Sequence, residues 1–472
     1  DAIKLKNKKN KLNLIQRLID DWIKNNSIGN GDAWNSYTTS LRIRNWILIF
    51  RLCPDMLNTE RKNSLWLQIC WLNSHKEYCY GGNHLIENLT ALIVGSLQFS
   101  GKEAEKIFAN NFKQLKKEIN KQILGDGGHE ERSASYHLLI LDRLVDCGFF
   151  INMHMGYKPK WLIDVVHKMT LWVEKVSLFN NKYPRFNDCI FDKNYSLEQI
   201  KNYAYAFLNL KHEKLNGVRL ILSENTFIKK KTEKKFDQEI FQINNKEIID
   251  LPDTGWTIVK PCRKNWELLF KCGEPCPKHL PAHCHSDLLS FELYYKGEPV
   301  FSEHGTSVYG NNKYRIIERS GLAHNVFQIS YPTNSFSKNE IRWIEPVDIF
   351  GNFRAGRKPS PIFRECFKNK LNRFEISGEH NGYKSFGANH LRKIYFRLIS
   401  NTEVQFTLID HLRCSQRIAW RQCWHLGPKY DANIFKSVIS ELNKCHTFEY
   451  NIEETWYSKN YGVRLPRKSL FI

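Results

Sequence analysis

No stretch of this chain is apolar for long enough to cross a membrane, so the sequence predicts a soluble protein without a membrane span. Its thirteen cysteines are odd in number and scattered through both halves. That pattern argues against a disulfide framework and reads most of them as small buried apolar residues. An acidic surplus is also missing. Asp and Glu number 49 against 70 Lys and Arg, a formal net charge of +21. Such a balance attracts polyanions, whether nucleic acid, an anionic membrane or an acidic polysaccharide. An Asn- and Lys-rich genome would colour any protein the same way. What the chain does have is 42% hydrophobic and 13% aromatic residues, which excludes an intrinsically disordered class. Its 472 residues suffice for two or three domains with a large core.

Residues 12 to about 225 carry apolar side chains at three- and four-residue spacing, as in "LNLIQRLIDDWIKN", "LRIRNWILIFRLC" and "NHLIENLTALIVGSLQF", with short Gly, Asn or Pro breaks. Amphipathic helices in such succession predict a bundle, solenoid or toroid. The charge run "KKKTEKKFDQ" at 229–238 reads as a linker. Beyond it the apolar period becomes two, in "FQINN", "WTIVK", "WELLFKC", "LSFELYYKGEPVFSEHG", "HNVFQIS" and "YFRLISNTEVQFTLIDHL". Strands without intervening helices predict an antiparallel sandwich. The expected domains are therefore helices over 1–228, a linker at 229–238 and strands over 239–472.

Three constellations carry chemistry. In "YGGNHLIENLTALIVG" two glycines precede Asn83 and His84 at the start of a helix, where free amides and the dipole favour an anion. Glu87 shares the face of His84. In "DGGHEERSASYHLLIL" a Gly-Gly turn leads through His129, Glu130, Glu131 and Arg132 to a helix capped by Ser133, with Tyr136 in its first turn. A tyrosine serves as acid or base once its proton is loosened, and Arg132 or a nearby histidine would do that. In "PAHCHSDLLSFEL", read as a strand, His283, His285 and Asp287 point to one side. With Glu303 of "FSEHGT" and His324 of "RSGLAHNV", His285 completes a two-His, one-carboxylate zinc set that leaves His283 for chemistry and Asp287 to orient a ring. A rival set, Cys272, Cys276, His279, His283, Cys284 and His285, has the residue types of a zinc knuckle but lacks its usual two-residue gap. It would make the protein a zinc-dependent nucleic-acid binder.

Taken in order, "GGNHLIEN", "DGGHEERSASYH", "PAHCHSDLLSFEL", "GEPVFSEHGT" and "RSGLAHNV" resemble the heparinase II/III-like polysaccharide lyases, a group with heparin, heparan and some alginate lyases. "SYTTSLRIRNWI" and "GEHNGYKSFGANHLRKIYF" extend the resemblance over nearly the whole chain. It implies an N-terminal α/α toroid followed by an antiparallel β-sandwich. It implies that Asn83 and His84 neutralise a uronate carboxylate, that Glu87 binds substrate, and that Tyr136 and His283 are catalytic. It implies a structural metal, zinc or alternatively calcium, at His285, Glu303 and His324. Relatives commonly carry Asp where Glu303 stands, and the adjacent His304 is a substitute or additional ligand. An exported, periplasmic or secreted bacterial enzyme is implied, while thirteen cysteines speak for the cytoplasm.

The reaction would be β-elimination on an acidic glycan. The proton removed lies alpha to a carboxylate, and neutralising that carboxylate stabilises the developing enolate-like charge. Tyr136 or His283 would take the proton, and Tyr136 would protonate the leaving oxygen. If both events occur on one face of the sugar Tyr136 can do both; otherwise His283 is the base. Trp34 and Tyr37 are candidates for stacking on sugar rings, Arg42 and Arg132 for carboxylate or sulfate contact. Trp46 falls in the helical pattern and reads as core. Asn187 and Asp188, in the break "RFNDCIFD", are candidates for a cleft rim or a loop cap. A non-catalytic glycan-binding or assembly protein with the same fold is the alternative reading. The partner in either case is an anionic polysaccharide rather than nucleic acid.

Overall fold

The computed structural model describes residues 9–190, 196–224, 234–261, 265–332, 341–369, 373–445 and 449–472. The helices are α1 (Lys9–Asn25), α2 (Ser36–Leu52), α3 (Thr59–Ser74), α4 (Gly82–Ser96), α5 (Lys102–Gln122), α6 (Ala134–Met155), α7 (Lys160–Val176), α8 (Leu197–Phe207), α9 (Gly217–Glu224) and α10 (Lys234–Asn244). Of the stretch read as a linker, residues 229–233 lie outside the described residues and 234–238 open α10. The "FQINN" segment, read as a strand, belongs to the same helix. Its two apolar residues, Phe241 and Ile243, are too few to separate a period of two from one of 3.6.

The chain divides into two compact units. One comprises Asp1–Ile123, Leu138–Thr170 and Glu198–Lys234. Its α5 buries Ala104, Ile107, Asn111, Leu115 and Ile119, a stripe at three- and four-residue spacing. Helix α4 is instead buried nearly all round, including Leu85, Ile86, Leu89, Leu92 and Ile93, as an apolar helix in the middle of other helices must be.

The other unit comprises Leu124–His137, Leu171–Leu197 and Lys235–Ile472. It carries the strands: β1 (Ile248–Leu251), β2 (Trp256–Val259), β3 (Trp266–Lys271), β4 (Phe291–Tyr295), β5 (Glu298–Phe301), β6 (Phe327–Ser330), β7 (Trp343–Ile344), β8 (Ile349–Phe350), β9 (Arg354–Ala355), β10 (Pro361–Lys368), β11 (Arg373–His380), β12 (Ala388–Leu398), β13 (Val404–Cys414), β14 (Trp420–His425), β15 (Asn451–Asn460) and β16 (Val463–Phe471). Helices α11 (Lys313–Arg319) and α12 (Lys436–Cys445) interrupt them. The sheets run β1-β2-β3-β4-β5, β10-β11-β12-β13, β15-β16-β14-β6-β7 and the hairpin β8-β9, and every described pairing is antiparallel. One core joins three of them: Leu268, Phe270, Phe291 and Leu293 pack with Phe374, Ile376, Ile394 and Phe396, and with Trp424 and Leu470. These residues alternate along their strands, which is what burying one face of a sheet against another requires.

Residues 281–290 are irregular and β4 begins only at Phe291, so the strand expected at His283 is a loop. The three prolines of "EPCPKHLPAHCH", Pro275, Pro277 and Pro281, disfavour a ladder there, because proline has no N–H to donate.

Candidate active site

The loop between α7 and α8 brings Asp188 to the centre of a buried cluster. Asn187, at φ 60°, turns the chain through the left-handed region that Asn tolerates. Its side-chain amide donates to the carbonyls of Arg132 (3.0 Å) and Pro275 (3.1 Å), and its oxygen accepts from Lys271 Nζ (2.6 Å). Held this way, Asp188 accepts from three directions. His283 Nδ1 lies 2.9 Å from Oδ2, His285 Nε2 lies 2.8 Å from Oδ1, and both terminal nitrogens of Arg315 pair with the carboxylate. The backbone N–H of Asp188 donates to the carbonyl of His283 at 3.1 Å.

Tyr136 sits in the first turn of α6. Ser133 occupies the capping position, since its carbonyl accepts from the His137 N–H. Its hydroxyl, however, donates to the Asp188 carbonyl instead of capping the helix. This ties the start of α6 to the Asp188 loop. The Tyr136 ring lies 3.9 Å from the His283 ring, and its hydroxyl is 2.9 Å from that of Tyr309. Glu131 Oε2 stands 3.7 Å from His283 Nε2.

Burial opposes ionisation of Asp188, but the charge of Arg315 and hydrogen bonds from His283 and His285 outweigh it and hold the carboxyl well below its usual range. With the Asp188 carboxylate on Nδ1, the His283 ring keeps Nε2, 3.7 Å from Glu131 Oε2, as the nitrogen left for proton exchange. Tyr136 departs from the sequence expectation. Burial, then the neighbouring Tyr309 and Asp188, push its phenol well above the ordinary value, so it is held neutral. Arg132, expected to loosen that proton, turns away: it is buried, donates to the Glu130 carbonyl and lies 3.9 Å from Glu274. Asp287, expected to orient a histidine, instead pairs with Lys271 and accepts from the Asn187 N–H.

The three expected metal ligands are all buried. His324 Nδ1 and Ser290 Oγ both bond to Glu303, and the rings of His285 and His324 are 5.2 Å apart. Burial lowers His324, yet the charge of Glu303 and its hydrogen bond more than compensate and raise it. Burial pulls His285 down to about 3 and keeps it neutral. Among the described residues, His285 Nδ1 and His324 Nε2 have no hydrogen-bond partner. Among the described residues no group of three or more His, Cys, Asp or Glu side chains is disposed to hold a metal ion. The Nδ1 of His304 is engaged by the Ala323 carbonyl and Arg467, which removes that nitrogen from the ligand set. The zinc-knuckle set is likewise dispersed. Cys272 faces the carbonyls of Phe363 and Glu379, Cys276 and Cys284 pack with Leu288 and Val347, His279 lies 3.6 Å from Glu130, and His283 and His285 belong to Asp188.

In the helical unit, Asn83 and His84 do lie in the first turn of α4, after Gly81 at φ 61°. His84 Nδ1 is 3.1 Å from Glu77, and its ring is 4.5 Å from that of Tyr37. Glu87 is not a substrate contact. It is fully buried, and Arg143 Nε lies 2.7 Å and 2.8 Å from its two oxygens. Trp34 is 4% exposed and packs against Trp22 and Trp71, so it offers no face to a sugar. Arg42 spends its donors on Gln68, Ala33 and Thr39 and lies 3.8 Å over Trp22. Each of these departures has one cause: an apolar stripe on a helix shows which residues face inward but not how deeply.

Residues 6–214 match the heparinase II/III N-terminus and residues 243–472 match the heparinase II/III-like C-terminal region. The chain belongs to the heparinase II/III-like family. It is 23% identical over 319 residues to a heparin-sulfate lyase of Bacteroides stercoris, covering 63% of this chain and 44% of the relative. It is 24% identical over 345 residues to a heparin-sulfate lyase of Bacteroides thetaiotaomicron, covering 66% and 46%. The chain thus spans under half the length of these curated relatives. A crystal structure of heparinase III superposes with a TM-score of 0.70 at 16% identity, covering all of this chain and 72% of the other. That likeness shows the fold of the heparinase II/III-like family, an α/α toroid followed by an antiparallel β-sandwich, as the motifs implied.

Two members of the cluster escaped the sequence reading, Tyr309 and Arg315. Both fall in "SVYGNNKYRIIERS", which has no charge or glycine pattern to distinguish it. Asp188 was visible only as a residue in a break between helices.

Proposed function

We propose that this protein is a polysaccharide lyase that cleaves a uronate-containing, acidic glycan by β-elimination. The observation that carries the reading is the close approach of Tyr136 and His283, with ring centroids 3.9 Å apart and planes tilted by 32°, and with His283 Nδ1 fixed by a buried carboxylate at 2.9 Å. A phenol held neutral suits a proton donor, and an imidazole with its Nδ1 occupied suits an acceptor at Nε2. His283 therefore takes the proton alpha to the uronate carboxylate. The electron pair of that C–H bond forms the new C=C bond as the glycosidic C–O bond breaks. Tyr136 protonates the leaving oxygen, and proton exchange between the two neighbouring groups restores both. Asn83 and His84, within the helical unit, are proposed as an anion-binding pair of the kind a uronate carboxylate requires, an amide and an imidazole at a helix N-terminus being suited to an anion. The names of the curated relatives support a glycosaminoglycan as substrate.

The same reading proposes a structural zinc ion at His285, Glu303 and His324, although these three side chains are not disposed as a ready-made metal site and would have to close around the ion. Support comes from the unpartnered Nδ1 of His285 and Nε2 of His324, and a two-nitrogen, one-oxygen set suits zinc better than calcium. Binding through Nε2 of His324 would displace any proton carried on that nitrogen. Elemental analysis of freshly purified protein, with and without His285→Ala, tests it; a wild-type protein free of zinc and calcium refutes it. A periplasmic or secreted location follows from a polymeric substrate and is tested by cell fractionation.

The reaction is tested by incubating the protein with defined uronate polymers and following the ultraviolet absorbance of the unsaturated sugar. Products without that chromophore, or no products from any acidic polymer, overturn the lyase reading.

A further inference from the structure

The hairpin β8–β9 presents two aromatic rings that no core requires: Phe350 is 56% exposed and Phe353 is 41% exposed. Together with Asn311, Asn352 and Arg354 they wall a cavity of about 540 Å³. Phe353 places this cavity beside the catalytic pair. Its ring lies 6.0 Å from that of His283 and 5.7 Å from that of Tyr309.

The hairpin is held in register with that pair by two fully buried arginines. Arg319 donates to the carbonyls of Gly351 (3.0 Å), Asn352 (2.8 Å) and Arg354 (3.2 Å), and its Nε donates to the carbonyl of Cys284, between the two histidines, at 3.1 Å. Arg315 donates to the Asn352 carbonyl at 3.2 Å while pairing with Asp188. A surface loop seldom receives this many buried charged donors. Spending them on the hairpin backbone fixes Phe353 against the site, as a preorganised contact requires. Among the described residues, Arg354 is exposed and its guanidinium is paired with no carboxylate.

We propose that this cavity is a glycan subsite that binds the anionic sugar adjoining the cleaved bond, with Phe353 stacking on the pyranose and Arg354 pairing with its carboxylate or sulfate. The assignment rests on the lyase reading. Exposed aromatics supply a flat apolar face for a sugar ring at little entropic cost, and an arginine fork matches either oxyanion.

The test uses the full chain with Phe353→Ala and Arg354→Gln, assayed on heparin, chemically desulfated heparin and alginate. Each variant should raise KM about tenfold, the loss of one such contact, with kcat within about twofold of wild type. Tyr136→Phe should do the reverse and remove kcat. If the Arg354→Gln effect disappears on desulfated heparin, the anion is sulfate; if it persists, it is the carboxylate. KM values within about twofold of wild type for both variants overturn the subsite. Should the wild type cleave none of the polymers, calorimetric binding of the same polymers takes over. Binding weakened by both substitutions keeps the subsite while the lyase reading falls, and no binding by the wild type removes both.

Discussion

At the scale of single residues, the neutral state of Tyr136 is the consequential fact. Its hydroxyl meets Tyr309 and little else, so Tyr136→Phe should lower kcat by about 10²–10⁴-fold. The thermal midpoint should hardly move. Near-wild-type kcat in that variant would remove Tyr136 from the chemistry. Glu87 offers the opposite case. Its pair with Arg143 is buried on both sides, and removing one partner leaves an uncompensated charge. Glu87→Ala should therefore cost about 3–5 kcal/mol of unfolding free energy, read from denaturant midpoints. KM of the folded fraction should be unchanged, whereas a substrate-binding glutamate would show its loss in KM.

At the scale of elements, the turn between β1 and β2 shows how closely the sandwich unit is built. Gly255 has φ +83°, and a Cβ there would stand 2.3 Å from the Cα of Gly273. The Cys272 N–H donates to the Gly255 carbonyl at 2.8 Å, so the two backbones cannot part without losing that bond. Gly255→Ala should destabilise by about 1–3 kcal/mol, from backbone strain and the displaced partner together. Chemical denaturation measures it, and a neutral result would mean that the turn can shift as a body. Strands and helices were legible at this scale because their periods repeat over many residues. The His283 loop was not, since a stretch of alternating residues reads the same whether or not a neighbouring strand supplies hydrogen bonds. Asp188 was even less so, because the partners of its carboxylate come from positions 283 to 315.

At the scale of the whole molecule, two distributed properties make predictions. Burial pushes the thiol of Cys423 up to about 11 and that of Cys272 up to about 12. In the unfolded chain a thiol ionises near about 8.5. Above that pH the unfolded state has lost protons that the folded state keeps, so stability is full below it and declines as pH rises toward the folded values. Unfolding midpoints should fall between about pH 9 and pH 11. The slope should be shallower in a Cys423→Ala, Cys272→Ala variant, and equal slopes would show that the two thiols are not differentially ionised. The net charge of +21 predicts that KM for a polyanionic substrate rises with ionic strength, because long-range attraction is screened over about 10 Å at 0.1 M salt. A salt-independent KM would assign the basic surplus to composition alone.

By itself the sequence determined the helical and sheet halves, the family to which its ordered motifs belong, and the residue types available for proton transfer. Those features depend on local periodicity and on short strings, and both survive without coordinates. Only the tertiary structure decided what each group experiences. It buried Glu87 against Arg143 and Trp34 between two tryptophans, and it gave His283 its carboxylate through Asp188. It also held the Tyr136 phenol neutral. Proton affinity and hydrogen-bond partnership are set by neighbours that lie far away along the chain, and one-dimensional spacing carries no record of them.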